Sequence, residues 1–66
     1  MLANYTPTVA VPNDSSPHYA EGWTYGDWWV SNGGSVYAEA GNDWHNEKAA
    51  GFWDRLTEED VSRHVR

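Results

Sequence analysis

Histidines and carboxylates are the side chains in this sequence best suited to chemistry, and their spacing decides what chemistry they could support. His18, His45 and His64 stand far apart, without the H-x-x-x-H spacing that places two metal ligands on one face of a helix. The chain contains no cysteine, which excludes disulfides and thiolate zinc sites. We therefore predict no metal site and no cofactor.

Catalytic arrangements are also missing from the sequence. None of the serines lies in the G-x-S-x-G pattern of a nucleophile elbow, and Gly33-Gly34 is not followed by the lysine of a phosphate-binding loop. Asp27 and Glu39 could approach each other as a carboxylate pair of the kind that glycosidases use. A chain of 66 residues leaves little room for a cleft that excludes water. We predict that the protein is not an enzyme.

Charge is unevenly distributed along the chain. The first 47 residues carry six acidic residues and no Lys or Arg, and the net charge of the whole chain is −6. Such a chain would repel nucleic acids and anionic membrane surfaces, so we expect neither as a partner. No apolar run is long enough to cross a membrane, and the N-terminus lacks the basic and apolar segments of a signal peptide. These features predict a protein made in the cytoplasm without a signal peptide.

Residues 1–17 are predicted to form an extended arm. Prolines recur at positions 7, 12 and 17, and each removes a backbone donor and favours an extended conformation in its predecessor. Residues 8–11 are rich in β-branched side chains, as in an edge strand. A segment of this composition buries too little surface to order itself, so either a partner holds the arm or it lies on its own domain. Residues 18–66 form a single small domain in this interpretation.

Residues 18–41 carry patterns of β-structure. Asn32-Gly33 is a strong signal for the two-residue turn of a β-hairpin. Because adjacent side chains of a strand point to opposite faces, Trp28 and Trp29 would lie on different faces of that hairpin. Residues 23–25 are a candidate third strand. The prediction is a short antiparallel β-hairpin or a three-stranded meander.

Residues 42–66 carry helical patterns. Asn42 or Asp43 could cap a helix, and Thr57, followed by three acidic residues, could start a second one. Apolar residues recur at i, i+3, i+4 and i+7, namely Ala49, Phe52, Trp53 and Leu56. The predicted fold class is small α+β: the extended N-terminal arm, the β-hairpin or meander, and a C-terminal helix or two short helices packed on one face of the sheet.

Aromatic residues are abundant, with five Trp, four Tyr and one Phe. A small chain without disulfides needs large side chains for its core, so we expect Trp53 and one of Trp28 and Trp29 to be buried. The other hairpin tryptophan, together with Trp23 and Trp44, should lie near the surface and mark a binding site. The residues predicted to contact a partner are Tyr5, Val9, Val11, Trp23, Tyr25, Trp28, Trp29 and Tyr37.

Part of the predicted hairpin resembles a known family. Gly26-Asp27, Trp29, Asn32-Gly33 and Tyr37-Ala38 are similar to the GD-x-V-x-Y-N-G-x-x-Y-x-A hairpin of the chitin-binding type 3 modules of secreted chitinases. The sequence departs from that motif where Trp29 replaces Val, where Ser31 replaces Tyr, and where the later Tyr stands one position late. The resemblance implies a sugar-binding hairpin on which Trp28, Trp29 or Tyr37 stacks, and carbohydrate binding is the alternative function.

The preferred prediction is a non-enzymatic accessory or structural protein of a large assembly. Aromatic side chains are enriched at protein interfaces, an extended arm can add a strand to a neighbour's sheet, and an acidic surface suits a basic partner. A short, acidic, cysteine-free and aromatic-rich chain predicts a bacteriophage virion component, either a capsid-decorating (cement) protein or a small tail protein. Its partner would be a protein of the capsid or tail lattice, and its location the virion.

Overall fold

Residues 4–64 form two α-helices joined by an irregular connection. A computed structural model describes residues 4–64, in which α1 spans Pro17–Ser31, α2 spans Asn46–His64, and no β-strand is present. Residues 4–16 precede α1, and residues 32–45 connect the helices. The predicted α+β fold is therefore wrong: the segment assigned to a hairpin begins as a helix and continues as an irregular connection. The parts of the predicted arm and C-terminal helix at residues 1–3 and 65–66 lie outside the described residues.

Local signals at both ends explain why α1 forms where strands were predicted. Ser16 is the N-cap, its hydroxyl accepts the Tyr19 N–H at 3.2 Å, and Pro17 occupies the first turn, where a missing N–H costs nothing. At the other end Asn32 is the C-cap and Gly33 has φ of 88°. Gly34 N–H then donates to the Trp29 carbonyl at 2.8 Å. Asn32-Gly33 thus terminates a helix in a Schellman motif, and does not turn a hairpin.

The two helices pack side by side and run in the same direction. Gly22 of α1 lies against Lys48 of α2, and five residues later Asp27 pairs with Arg55. The order of contacts therefore increases along both helices. A same-direction pair needs a connection that returns along the length of the helices, and residues 32–45 supply it.

Glycines allow the helix backbones to approach closely. A Cβ added at Gly22 would lie 1.8 Å from the Lys48 carbonyl oxygen, and one added at Gly51 would lie 2.1 Å from the Tyr19 carbonyl oxygen. Both atoms they would meet belong to backbone, which cannot rotate away. Only glycine, which has no side chain, therefore allows the two helices to pack this closely at positions 22 and 51.

Helix α2 begins later than the sequence predicted. It begins at Asn46, and the ring Nδ1 of His45 accepts the Glu47 N–H at 3.0 Å, so neither Asn42 nor Asp43 caps it. It continues without a break through Thr57, so of the two predicted alternatives the single helix is present and the two short helices are not. Neither helix of residues 4–64 is long and apolar enough to cross a membrane.

The apolar core lies between the helices and the connection. Val30, Phe52 and Leu56 are buried there, as the helical spacing of α2 predicted for the last two. Tryptophan placement was predicted wrongly: Trp53 is 49% exposed, whereas Trp23 is buried. Partly buried residues complete the core, from α1 (Tyr25, Trp29) and from the connection (Val36, Ala38, Ala40, Trp44).

Candidate functional site

A buried carboxylate organises one side of the helix pair. Asp27 is 0% exposed and accepts hydrogen bonds from the Tyr5 hydroxyl, from Thr8 and from the Val9 N–H at 3.0 Å. Arg55 Nε donates to Asp27 Oδ2 at 2.9 Å. We call these five residues the Asp27 cluster. It fastens residues 5–9 to both helices, so this part of the predicted arm lies on its own domain.

The electrostatics of the cluster favour the ionised form of Asp27. Burial alone would raise its pKa, but hydrogen bonds from Tyr5, Thr8, Arg55 and Val9 outweigh burial and hold the pKa well below its usual range. Burial and the hydrogen bond to Asp27 raise the pKa of Tyr5. The carboxylate is fully enclosed by these donors and cannot reach a substrate, so its role is to hold the fold.

The partner of Asp27 in the structure differs from the one that the sequence suggested. The sequence suggested a carboxylate pair with Glu39, but Glu39 is exposed on the connection, and the partner of Asp27 is Arg55. Arg55 is 2% exposed and also reaches Glu59 through Nη2 at 3.0 Å. No sequence pattern singled out Arg55, since it stands among charged residues on a helix that is mostly polar at its C-terminal end.

The predicted partner-contacting residues do not come together on one surface. Trp23 is buried, and its Nε1 donates to the Val9 carbonyl at 2.9 Å. Trp29 packs over Gly34, and its Nε1 donates to the Ser35 carbonyl at 2.9 Å. These two indoles are occupied within the fold. The remaining predicted residues are divided between half-buried side chains (Tyr5, Val11, Tyr25, Trp28) and exposed ones (Val9, Tyr37).

The half-buried aromatics form a packed group under a cation. The Tyr25 ring meets Trp44 at 5.2 Å between centroids and Phe52 at 5.9 Å. Lys48 Nζ lies 4.2 Å from the centroid of the Trp44 ring, which is within the range of a cation–π contact. Trp28 meets only the edge of this group, through Tyr25 at 5.8 Å. Tyr25 and Trp44 therefore contribute to the fold.

The solvent side of α2 carries an apolar stripe that sequence reasoning missed. Trp53, Thr57 and Val61 recur at intervals of four residues, so they lie on one helix face, and all three are exposed. Ala50, half-buried, extends the stripe by one turn. We call these four residues the α2 outer face. Its spacing was readable in the sequence, but Trp53 was assigned to the core because it also continues the buried stripe of Phe52 and Leu56.

A groove lies beside the α2 outer face, between α2 and the segment before α1. Tyr19 crosses from α1 to α2 there, and its hydroxyl donates to Asp54 Oδ2 at 2.5 Å. Burial and this hydrogen bond raise the pKa of Tyr19 to about 12. The groove, which we call the Tyr19 groove, is lined by Pro12, Tyr19, Trp23, Asp54, Thr57, Glu58 and Val61.

Two histidines meet at the beginnings of the helices. The rings of His18 and His45 stack with centroids 3.8 Å apart and planes 6° from parallel. His45 Nδ1 is occupied by the Glu47 N–H. No group of three histidine, aspartate or glutamate residues within 4–64 is arranged to hold a metal ion.

Comparisons with known proteins give no relative for this chain. No family model matches it, and neither a search of curated proteins nor one of solved structures finds a similar chain. The resemblance to chitin-binding type 3 modules therefore gains no support, and the hairpin that it implied is helix and connection in this fold.

Proposed function

We propose that this protein is a non-enzymatic accessory protein of a larger protein assembly and that it docks its partner through the α2 outer face. The observation that carries the proposal is Trp53. Its side chain is 49% exposed near the middle of a 19-residue helix, while the inner side of that helix buries Ala49, Gly51, Phe52, Arg55 and Leu56. A large indole in this position contributes little to the stability of the isolated fold, but it can bury a large area at an interface.

The chemistry of the α2 outer face suits a protein partner. Tryptophan is enriched at interface hot spots because its rigid ring buries a large area at a low cost in side-chain entropy. Val61 lies two turns beyond Trp53 and extends the apolar contact, with Thr57 between them. A helix face of this kind inserts into an apolar groove on a partner surface.

Charge indicates what kind of protein the partner is. Asp54 and Glu58 flank the α2 outer face, and both are exposed. The chain as a whole carries a net charge of −6, so a second copy would bring like charges together across the same surface. We therefore expect a partner whose apolar docking groove is rimmed by Lys or Arg.

Part of the predicted arm is held within the fold. Tyr5 and Val9 are engaged by Asp27, so we place the docking surface on α2 and keep docking by the arm as a prediction. The bacteriophage virion also stays a prediction, supported by composition alone. Carbohydrate binding was tied to a β-hairpin that this fold does not contain, and we do not propose it.

The test is site-specific photo-crosslinking in cells or particles that contain the protein. A photo-reactive amino acid at position 57 should yield a discrete adduct, and mass spectrometry of the adduct should locate the crosslink in a partner segment rich in Lys or Arg. The same amino acid at the exposed position 35, on the connection, is the matched control and should yield no adduct.

A second variant makes the test decisive. Trp53→Ala should abolish the adduct at position 57, with a loss of affinity corresponding to roughly 2 kcal/mol or more for a hot spot. Circular dichroism should show that the variant is folded. An adduct of equal yield in the Trp53→Ala variant, or equal yields at positions 57 and 35, would contradict docking through this face.

A further inference from the structure

The Tyr19 groove combines apolar walls with acidic side chains. Pro12 and Val61 form apolar walls, and Tyr19 is half-buried between them. Asp54 and Glu58 stand one helical turn apart on α2 along the same groove. The groove is continuous with the α2 outer face through Thr57 and Val61, so a partner seated on that face also covers the groove.

The carboxylates of the groove are not neutralised by the described part of the chain. Among residues 4–64, no Lys or Arg nitrogen lies within 4.0 Å of Asp54 or Glu58. Asp54 accepts a hydrogen bond from Tyr19, which fixes its orientation but supplies no positive charge. A partner that closed the groove without a cation would leave two desolvated charges, which is costly.

The basic residues within 4–64 are already engaged elsewhere. Arg55 is buried against Asp27, and Arg63 pairs with Glu59 at 3.4 Å. Lys48 lies over the Trp44 ring and 3.8 Å from Glu21. No Lys or Arg within residues 4–64 is therefore free to supply the complementary charge for the groove.

We propose that the Tyr19 groove receives an arginine side chain of the partner; this inference rests on the proposed function and names the anchor of the same interface. A planar guanidinium presents several donors at once, so it can bond Asp54 and Glu58 together, and it stacks on aromatic rings such as Tyr19. Its aliphatic stem fits the walls formed by Pro12 and Val61. Lysine, a compact and strongly hydrated cation, satisfies fewer of these contacts.

The experiment uses the full chain labelled with ¹⁵N and a blocked amino acid as the probe. N-acetyl-arginine-N-methylamide should produce saturable chemical-shift changes at the amides of Tyr19, Asp54 and Glu58. N-acetyl-lysine-N-methylamide should bind several-fold more weakly, and the uncharged analogue N-acetyl-citrulline-N-methylamide should produce no saturable change. Citrulline keeps the shape and length of arginine, so it isolates the contribution of charge.

Variants of the chain test the assignment to these carboxylates. Glu58→Gln keeps the hydrogen bond between Tyr19 and Asp54 and should weaken binding of the arginine probe at least threefold; Asp54→Asn with Glu58→Gln should weaken it at least tenfold. The matched control is Glu39→Gln with Asp43→Asn, which removes the same charge from the connection and should leave binding unchanged.

The results that would overturn the inference are distinct from those that would overturn the proposed function. Equal binding of the arginine and citrulline probes, or equal loss in the control variant, would refute an arginine site in this groove. Trp53→Ala should leave the arginine probe unaffected while it abolishes the photo-crosslink. The two proposals can therefore fail separately.

Discussion

Arg55 Nε lies 2.9 Å from Asp27 Oδ2, and the two side chains are almost completely removed from solvent. This pair joins the middle of α2 to α1, and through Asp27 it also holds Tyr5, Thr8 and Val9. Three segments that are distant in sequence thus converge on one carboxylate. Through Asp27, the pair fixes the position of the N-terminal segment relative to the two helices.

Breaking this buried pair should destabilise the protein strongly. In Asp27→Asn the buried Arg55 charge keeps only Glu59 as a counter-ion, and in Arg55→Met the Asp27 charge remains buried without one, so each should lower the free energy of unfolding by about 3–5 kcal/mol. Urea denaturation measures this. The matched control is Glu21→Gln, since Glu21 pairs with Lys48 at 3.8 Å from an exposed position and should cost about 1 kcal/mol or less. Equal effects of Asp27→Asn and Glu21→Gln would contradict the role of the pair.

Acid should expose the contribution of Asp27. Its pKa is lowered in the folded state, so its stabilising effect is present above the unfolded pKa of about 4 and is lost as the pH falls through the lower folded value. The difference in unfolding free energy between the native chain and Asp27→Asn should therefore be constant from about pH 7 to about pH 5 and shrink below about pH 4. A difference that stays constant into strong acid would show that folding does not lower the pKa of Asp27.

Removal of residues 1–9 should destabilise the fold, in addition to any effect on partner binding. The deletion takes away the hydroxyl of Tyr5 and the backbone donors of Thr8 and Val9, leaving Asp27 with Arg55 alone. Unsatisfied buried groups of this kind cost about 1–3 kcal/mol each, so the truncated chain should melt at a clearly lower temperature. The comparison is with Asn13→Ala, an exposed change in the same segment. An unchanged melting temperature after truncation would show that the segment is not part of the folded unit.

Glycine replacements at the helix interface should reverse the usual effect of alanine. In an exposed helix Gly→Ala stabilises by about 1 kcal/mol, but at Gly22 and Gly51 the added Cβ would collide with a backbone oxygen of the other helix. Each replacement should instead destabilise by about 1–3 kcal/mol or prevent folding. Thermal denaturation followed by circular dichroism gives the sign. Ser62→Ala, at an exposed position of α2, is the control and should be neutral or slightly stabilising.

Neighbouring aromatic residues of α2 should differ in their effect on stability. Phe52 is buried in the core whereas Trp53 is half-exposed, so Phe52→Ala should cost about 3–5 kcal/mol and Trp53→Ala clearly less. Chemical denaturation of the two variants tests this directly. A Trp53→Ala variant as unstable as Phe52→Ala would place Trp53 in the core and remove the basis for the α2 outer face.

The sequence alone predicted a helix in the region of α2. Ala49, Phe52 and Leu56 recur with the period of a helix, and each is buried as that period requires. The sequence also determined which reactive side chains the protein has, which are few, and its acidic net charge. It could not place Trp53, because one residue at the edge of an apolar stripe can face the core or the solvent with nearly the same spacing.

Helix α1 was not recognised because its buried face is not apolar in sequence. Of the five residues that it buries, three are Gly22, Gly26 and Asp27; the other two are Trp23 and Val30. They follow the helical spacing of four residues, but glycine and aspartate give no hydrophobic signal. Tryptophan, tyrosine and valine nearby raised the β-propensity of the same segment. Ser16-Pro17 was the local sign of a helix start, and it was assigned to the arm.

Tertiary structure alone decided the remaining features. Burial of Asp27 is favourable only because Arg55 and the donors of residues 5–9 reach it from other segments, and no local pattern encodes those contacts. Gly22 and Gly51 are contact positions because the two helix backbones pack against each other there. The same packing leaves the outer side of α2 exposed. Composition and local spacing are properties of a single segment, whereas charge pairing and close packing depend on segments that only the folded chain brings together.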